Sequence, residues 1–251
     1  MSVIQGGKRE KHFPIDKSKA SVSIIIVTYN AEKFVQQCLD SITAQRFQNF
    51  ELIIFDGAST DKTIDLIKQN EQHITYWQSE PDNGIYEAMN NALKKATGDW
   101  FYFLGIDDQL LPTFSEMAEK LTHKNTIYTG NCITDKNEIL DGNFSAYRLT
   151  KMNISHQAIF YPKAVFIKYH YQMQYRVYAD YVLNLQCWGD KSFTKKYFPI
   201  SIAIYHTGGF SSFLEDELFK KEKDDLIKKY LGLYELIRYR IKQRKEKRKK
   251  K

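Results

Sequence analysis

Asp107 and Asp108 stand side by side, and two carboxylates at that range resist joint ionisation unless a cation or a shared proton separates them. Mg²⁺ or Mn²⁺ meets that need, because these hard cations bind one or two carboxylates and complete their shell with substrate phosphate oxygens. An isolated Asp-Asp is also an ordinary solvated turn, so the pair alone decides nothing. Asp56 ends an apolar run in Phe55-Asp-Gly-Ala-Ser-Thr-Asp61, where a carboxylate can accept a hydrogen bond from a nucleobase N–H or a ribose hydroxyl. Gly57 beside it permits close backbone approach. The competing reading has Asp56 satisfying backbone donors at a strand end while Ser59, Thr60 or Asp61 caps the next helix, and for Asp61 that structural role is the expected one. Asp180 falls in the first turn of a helical stretch, where the helix macrodipole by itself accounts for an acidic residue. His206, before Thr207-Gly-Gly209, closes an apolar run and could ligate a metal or bond a leaving phosphate, although a lone histidine is more often a packed one.

These side chains are carried by alternating elements. Residues 22–28 form a nearly continuous β-branched run, as in a strand buried on both faces of a parallel sheet. Asn30 is expected to cap a helix reaching about residue 45, with Phe34, Val35, Cys38, Leu39 and Ile42 as its apolar stripe. A second strand over 50–55, a helix from 59–61 to about 69, and a third strand over 74–78 follow. The turn Pro81-Asp-Asn-Gly84 then leads into a helix with Ile85, Ala88, Met89, Ala92 and Leu93 on one face, and residues 99–104 make a fourth strand. Such alternation signifies a parallel α/β sheet, whose ligands bind outside the carboxyl ends of the strands. Thr28, Asp56, Asp107 and Asp108 should therefore converge on one crevice. After Pro112 the pattern becomes a helix and then less regular stretches to about residue 150. A helix over 178–188, strands over 193–197 and 200–205, and one long helix from residue 215 complete the reading.

With 251 residues and 43% hydrophobic composition, the chain can bury one sizeable core with a small appendage. Cys38, Cys132 and Cys187 show neither zinc nor disulfide spacing, which fits a reducing compartment. The first residues lack the apolar stretch of a secretory signal, and no window offers the roughly 18 to 20 apolar residues of a membrane span. A cytoplasmic protein is expected. The net charge of +7 is concentrated at the end, where residues 238–251 hold ten Lys or Arg against Glu246. Nucleic acid, an anionic lipid surface or plain solvation could each account for that run.

The motifs in order are Val27-Thr-Tyr-Asn30, Asp56-Gly-Ala-Ser-Thr-Asp-Lys-Thr63, Asp82-Asn-Gly-Ile-Tyr-Glu-Ala-Met-Asn90, Phe103-Leu-Gly-Ile-Asp-Asp108 and His156-Gln157. Together they resemble the GT-A fold, family 2 glycosyltransferases, especially bacterial members that build surface polysaccharides, across residues 22–212. The resemblance implies an α/β, Rossmann-like GT-A fold with a mostly parallel central sheet flanked by helices. It divides the chain into an irregular N-terminal arm (1–20), the transferase domain (21–212) and a C-terminal basic amphipathic helix and tail (213–251). The nucleotide half would cover about 21–111 and the acceptor half about 112–212. By position, Thr28 and Asn30 would border the nucleotide pocket, Asp56 would read the base, and Asp82 would lie near base or ribose. Asp107 and Asp108 would hold the ribose and the metal-diphosphate, with Mn²⁺ or Mg²⁺ as cofactor. His156 and Gln157 would lie near the donor sugar or acceptor, and Asp180 would be the catalytic base.

Lys62 stands where many relatives have Gly, and Gly105-Ile106 replaces the commoner Asn-Ala or Asn-Ser, yet neither change removes a carboxylate. The Gln/Arg-x-x-Arg-Trp motif of processive synthases is missing, so single transfer is expected. The resemblance thus implies an inverting, non-processive transfer from a nucleotide-sugar, UDP by analogy, to a glycan or polyprenyl-linked saccharide. The basic helix, with Ile and Tyr among its cations, could dock on the inner face of an anionic membrane. A nucleic-acid-binding protein acting through the tail would leave the strand-end carboxylates unexplained and repelling phosphate, so nucleic acid is a disfavoured partner. A sugar nucleotidyltransferase would need a Gly-rich phosphate loop after the first strand, and Val27-Thr-Tyr-Asn-Ala31 has none.

Overall fold

A computed structural model describes residues 3–8, 16, 20–208 and 215–249. The elements begin with Ile4–Gly6 (β1), Val22–Thr28 (β2), Val35–Thr43 (α1), Phe50–Asp56 (β3), Thr63–Gln69 (α2), Tyr76–Ser79 (β4) and Ile85–Leu93 (α3). Trp100–Gly105 (β5), Gln109–Leu110 (β6), Thr113–Ala118 (α4), Thr126–Thr134 (β7), Ile139–Asp141 (β8) and Ala146–Leu149 (α5) form the middle. Ile159–Pro162 (β9), Lys163–Lys168 (α6), Ala179–Gly189 (α7), Thr194–Tyr205 (β10), Glu217–Leu231 (α8) and Leu233–Lys249 (α9) complete it.

The strands join in one mixed sheet in the order β1-β4-β3-β2-β5-β9-β7-β10-β6, with β8 added to β7. β4, β3, β2 and β5 run parallel, joined by helical crossovers. Ile24, Ile25 and Ile26 of β2 are all buried, since helices cover both faces of this part of the sheet. Burying each such side chain stabilises the fold by roughly 1.5–3 kcal/mol before entropy is counted. β9 is antiparallel to both β5 and β7, so it reverses the sheet direction beside the fourth parallel strand.

Several expected elements come out differently. The irregular arm supplies an edge strand, because β1 pairs antiparallel with β4; residues 1–2, 9–15 and 17–19 lie outside the described ones. Asn30 does not cap α1, whose N-cap is Phe34. Asn30 instead takes a left-handed φ of 49° and accepts from the Thr60 N–H at 2.9 Å, tying two loops together. The irregular stretch after α4 contains β7, a nine-residue strand buried along almost its whole length. Its Gly130 and Asn131 read as turn residues, but a Cβ at Gly130 would collide with the Ile200 carbonyl and the Ile202 side chain of β10. The glycine serves close strand approach there. The two strands expected over 193–205 are one, β10, with two register breaks against β7, the first between Tyr197 and Ser201, spanning Pro199, which has no N–H to donate, and the second between Ser201 and Ala203.

The expected single C-terminal helix is two. Gly232, at φ 94°, ends α8 and turns the chain into α9, which packs back on α8. Asp216 caps α8 by accepting from the Phe219 N–H at 3.0 Å, and the same carboxylate accepts from the Val177 N–H at 3.0 Å and the Tyr178 N–H at 3.3 Å. α8 therefore fixes the loop that leads into α7.

Candidate active site

The carboxyl ends of the parallel strands open into a cleft of about 460 Å³. Its walls include Thr28, Tyr29 and Asn30 after β2, Asp82 and Tyr86 at the start of α3, Asp107 and Asp108 after β5, His156, Gln157, and Asp180. Residues separated by about 150 positions in the chain thus share one hollow.

On the β2–β3 side, Thr28 and Asp56 are register partners at the ends of their strands. Asp56 is only 2% exposed and lies behind the wall. Its Oδ2 accepts from the Ser59 N–H at 2.8 Å and the Ser79 hydroxyl at 2.7 Å, and the Ser59 hydroxyl donates to Oδ1. Ser59 also receives the Asn30 N–H at 2.8 Å, so the carboxylate anchors the junction of the first two strand-end loops. Ala58 in that junction sits at φ 62°, a left-handed conformation costing a residue with a Cβ about 1 kcal/mol. Asp61 is not the N-cap of α2, which is Lys62, but from one residue earlier it accepts from the Thr63 N–H at 2.9 Å and from the Glu32 N–H at 3.1 Å. Asp82 accepts from the Gly84 N–H at 2.8 Å. Burial raises its pKa, helped by Glu87, Asp56 and Glu80, against that N–H.

After β5 the chain turns so that Asp108 points back over the strand end, 2% exposed. Its Oδ1 accepts from the His206 N–H at 2.9 Å, and the Gln157 amide donates to Oδ2. Burial and then the neighbouring Asp107 charge push the Asp108 carboxyl up to about 7. A Cβ at Gly105 would lie 2.5 Å from Asp108 Oδ2 and 2.8 Å from Asp107 Oδ1. Glycine at this position, a departure in the motif, is what lets both carboxylates fold over the strand. Two buried acceptors in the lining, Thr28 Oγ1 and Gln157 Oε1, have no protein partner. The carboxylates of Asp107 and Asp108 and the Gln157 amide oxygen are hard oxygen donors, the set that Mg²⁺ or Mn²⁺ takes. His206 fits less well as a ligand: it meets Asp108 through its backbone, while its Nδ1 lies 3.3 Å from Asp135 and its ring packs on Phe34. Among the described residues no cluster of three His, Cys, Asp or Glu side chains forms a ready-made metal cage. His156 is held near pKa 4 by burial, hence neutral at physiological pH.

Asp180 occupies the first turn of α7. Its Oδ1 accepts from the Tyr181 N–H at 2.7 Å, and its Oδ2 from the Asn153 amide at 2.9 Å. The Tyr86 hydroxyl lies between Asp180 Oδ1 (3.0 Å) and the Val177 carbonyl (2.7 Å), sharing its one proton. Asn153 is itself oriented, since its Oδ1 accepts from Asn184 at 2.9 Å and the Asn184 Oδ1 accepts from the buried Tyr161 hydroxyl at 2.7 Å. Burial raises the Asp180 carboxyl to about 6, with the three donors opposing it. Sequence reasoning missed Asn153, Asn184 and Ser79, none of which lies in a motif with its partner, and it saw Ser59 only as a motif member and not as the donor to Asp56. Tyr86 was visible only as a member of the Asp82–Asn90 motif.

A family model described as "Glycosyl transferase family 2" matches residues 23–183, which span both walls of the cleft. The chain belongs to glycosyl transferase family 2. A Mycobacterium tuberculosis relative named "PGL/p-HBAD biosynthesis glycosyltransferase" is 35% identical over 210 residues, 79% of this chain and 82% of that one. Among solved structures, Staphylococcus aureus TarS (residues 1–349) in complex with UDP-GlcNAc superposes with a TM-score of 0.63 at 15% identity, covering 84% of this chain and 71% of that one. A mannosyltransferase from Pyrobaculum calidifontis, in complex with GDP-Man and Mn²⁺, gives 0.59 at 16% identity, covering 79% and 61%. The family match and these structural likenesses together establish the GT-A-like fold of a family 2 glycosyltransferase. The sugar nucleotidyltransferase reading gives way to that membership.

Proposed function

We propose that this family 2 enzyme is an inverting, non-processive hexosyltransferase that moves a sugar from a UDP-sugar to a hydroxyl of a glycan or lipid-linked saccharide in the cytoplasm. One observation carries the reading: Asp180, a half-buried carboxylate with raised affinity for a proton, shares a cleft with the Asp107-Asp108 pair. The lining also includes Asp82 but no Lys or Arg among the described residues, so basic side chains are not there to meet a diphosphate. Asp108 and Asp107, with Gln157 Oε1 beside them, would hold Mg²⁺ or Mn²⁺; His206 is at most a peripheral ligand. Bound there, the ion supplies Lewis-acid neutralisation of the departing diphosphate. The Mn²⁺ of the mannosyltransferase complex supports the same assignment by analogy.

Thr28 and Asn30 border the nucleotide in this reading, with the exposed Tyr29 ring on the rim. Asp56 Oδ1, which receives one protein donor, keeps a lone pair for a base N–H, and Asp82 lies toward the ribose. Gln157 and the neutral His156 face the donor sugar or acceptor. Asp180 accepts the acceptor hydroxyl's proton through whichever oxygen lone pair its three donors leave open. Attack on the opposite face of the anomeric carbon, with no covalent nucleophile, inverts its configuration. General-base help is worth about 10²- to 10⁴-fold, so Asp180→Asn should lose that much in kcat while calorimetry shows unchanged donor affinity. Near-normal turnover in that variant would remove Asp180 from the role.

A further inference from the structure

Four of the large apolar side chains that stand exposed among the described residues lie on α9: Leu233 (57%), Tyr234 (70%), Ile237 (48%) and Ile241 (48%). Scattered exposed apolar residues are ordinary, but these recur at i, i+1, i+4 and i+8 and so form one stripe. The helix buries its other side, where Tyr239 packs against α8, with the Lys223 ammonium 5.3 Å from its ring centroid. At about 100° per residue, Arg244, Lys245 and Arg248 continue the same outward stripe beyond Ile241. Arg238, Arg240 and Lys242 pair with Glu235, Asp224 and Glu246, whereas no ion pair engages Arg244, Lys245, Lys247, Arg248 or Lys249 among the described residues. The outward face is therefore apolar for two turns and then cationic, with further cations on its flanks.

We infer that this face of α9 docks on an anionic lipid bilayer, its apolar stripe entering the headgroup boundary while the following cations meet lipid phosphates. Nucleic acid would use the cations but leave Leu233, Tyr234, Ile237 and Ile241 in water. A purely apolar protein partner would leave the cations without counter-charge. The lipid surface uses both, as amphipathic interfacial helices do. α9 packs on α8, and α8 holds Val177 and Tyr178 just before Asp180. Docking would thus anchor the half of the molecule that carries Asp180. The inference does not depend on the catalytic assignment.

Removing the helix is the wrong test, since it would also remove buried Tyr239. The full chain is sedimented instead with vesicles of phosphatidylcholine alone or with about a quarter phosphatidylglycerol, at about 0.1 M salt and at several-fold higher salt. Wild type should partition at least tenfold better onto the anionic vesicles. Ile237→Ser with Ile241→Ser should lose on the order of tenfold. Arg244→Gln with Lys245→Gln and Arg248→Gln should lose on the order of a hundredfold. All five positions are exposed, so thermal melting and turnover of a soluble acceptor should stay at wild-type values. Equal partitioning onto both vesicle types, or either variant binding like wild type, would overturn the inference. So would wild type binding single-stranded RNA more tightly than vesicles, or self-association that the serine variant abolishes in place of vesicle binding.

Discussion

The two halves of the sheet are built by different rules. From β2 to β5 the strands are mostly apolar runs, the helices carry their own stripes, and the ends of β3, β4 and β5 deliver Asp56, Asp82 and the Asp107-Asp108 pair from short local motifs. From β7 to α9 the elements include a strand interrupted by register breaks, a strand with buried Gly130 and Asn131, and helices tied by Asp216 to a distant loop. The first half makes its contribution to the cleft locally; the second assembles its part from residues brought together only by folding. If the donor is held by the first half and the acceptor hydroxyl activated by the second, substitutions should divide into donor-affinity and turnover effects.

The hardest blow to that division would come from Asp108. Asp108→Ala should lower kcat/KM by about 10³-fold or more and abolish any Mn²⁺ dependence of donor binding, read by calorimetry with and without the ion. If donor binding survived and only kcat fell, the halves would not divide the labour as proposed. Gly105→Ala is the next test. The new methyl group must displace both carboxylates, so donor affinity should fall at least tenfold, with about 1–3 kcal/mol lost in stability by chemical denaturation.

On the other side, Asn153→Ala withdraws one of the donors to Asp180, acting on position and basicity without touching substrate. A roughly tenfold fall in kcat is expected at neutral pH with donor affinity intact. The wild-type rate should rise with pH through about 6 as Asp180 ionises, and in Asn153→Ala this limb should move to higher pH. A change in rate without that movement would mark Asn153 as merely structural. Linkage gives a smaller companion effect. Because folding raises the Asp180 pKa, its stabilising contribution is full below the ordinary carboxylate range and lost as pH rises through about 6. Asp180→Asn should therefore melt no lower than wild type at pH 7, even while turnover collapses.

Particular residues show what could be read without a fold. The Val22–Thr28 run specified a strand buried on two faces because no polar residue alternates through it, and the strand-end placement of Asp107 and Asp108 followed from the alternation of strand and helix. Thr28, Asn30, Asp82, the Asp pair, His156, Gln157 and Asp180 all line one cleft, and Asp56 reaches the layer just behind its lining. Local pattern reported these because the physics that forms the elements is itself local: apolar period, caps and turn chemistry.

Other features had no local signal. Gly130 and Asn131 look like turn residues until β10 lies against them, and Gly232 sits within an otherwise continuous helical pattern. Asn153 gains meaning only from Asp180, 27 positions away, on one side and Asn184, 31 positions away, on the other. The sequence by itself determined which carboxylates stand at strand ends and which stripes must be buried, because side-chain period and backbone preference act over a few residues. Only the tertiary structure decided which donors meet each carboxylate and how far burial raises its proton affinity, because hydrogen bonding and desolvation depend on neighbours that the chain brings from afar.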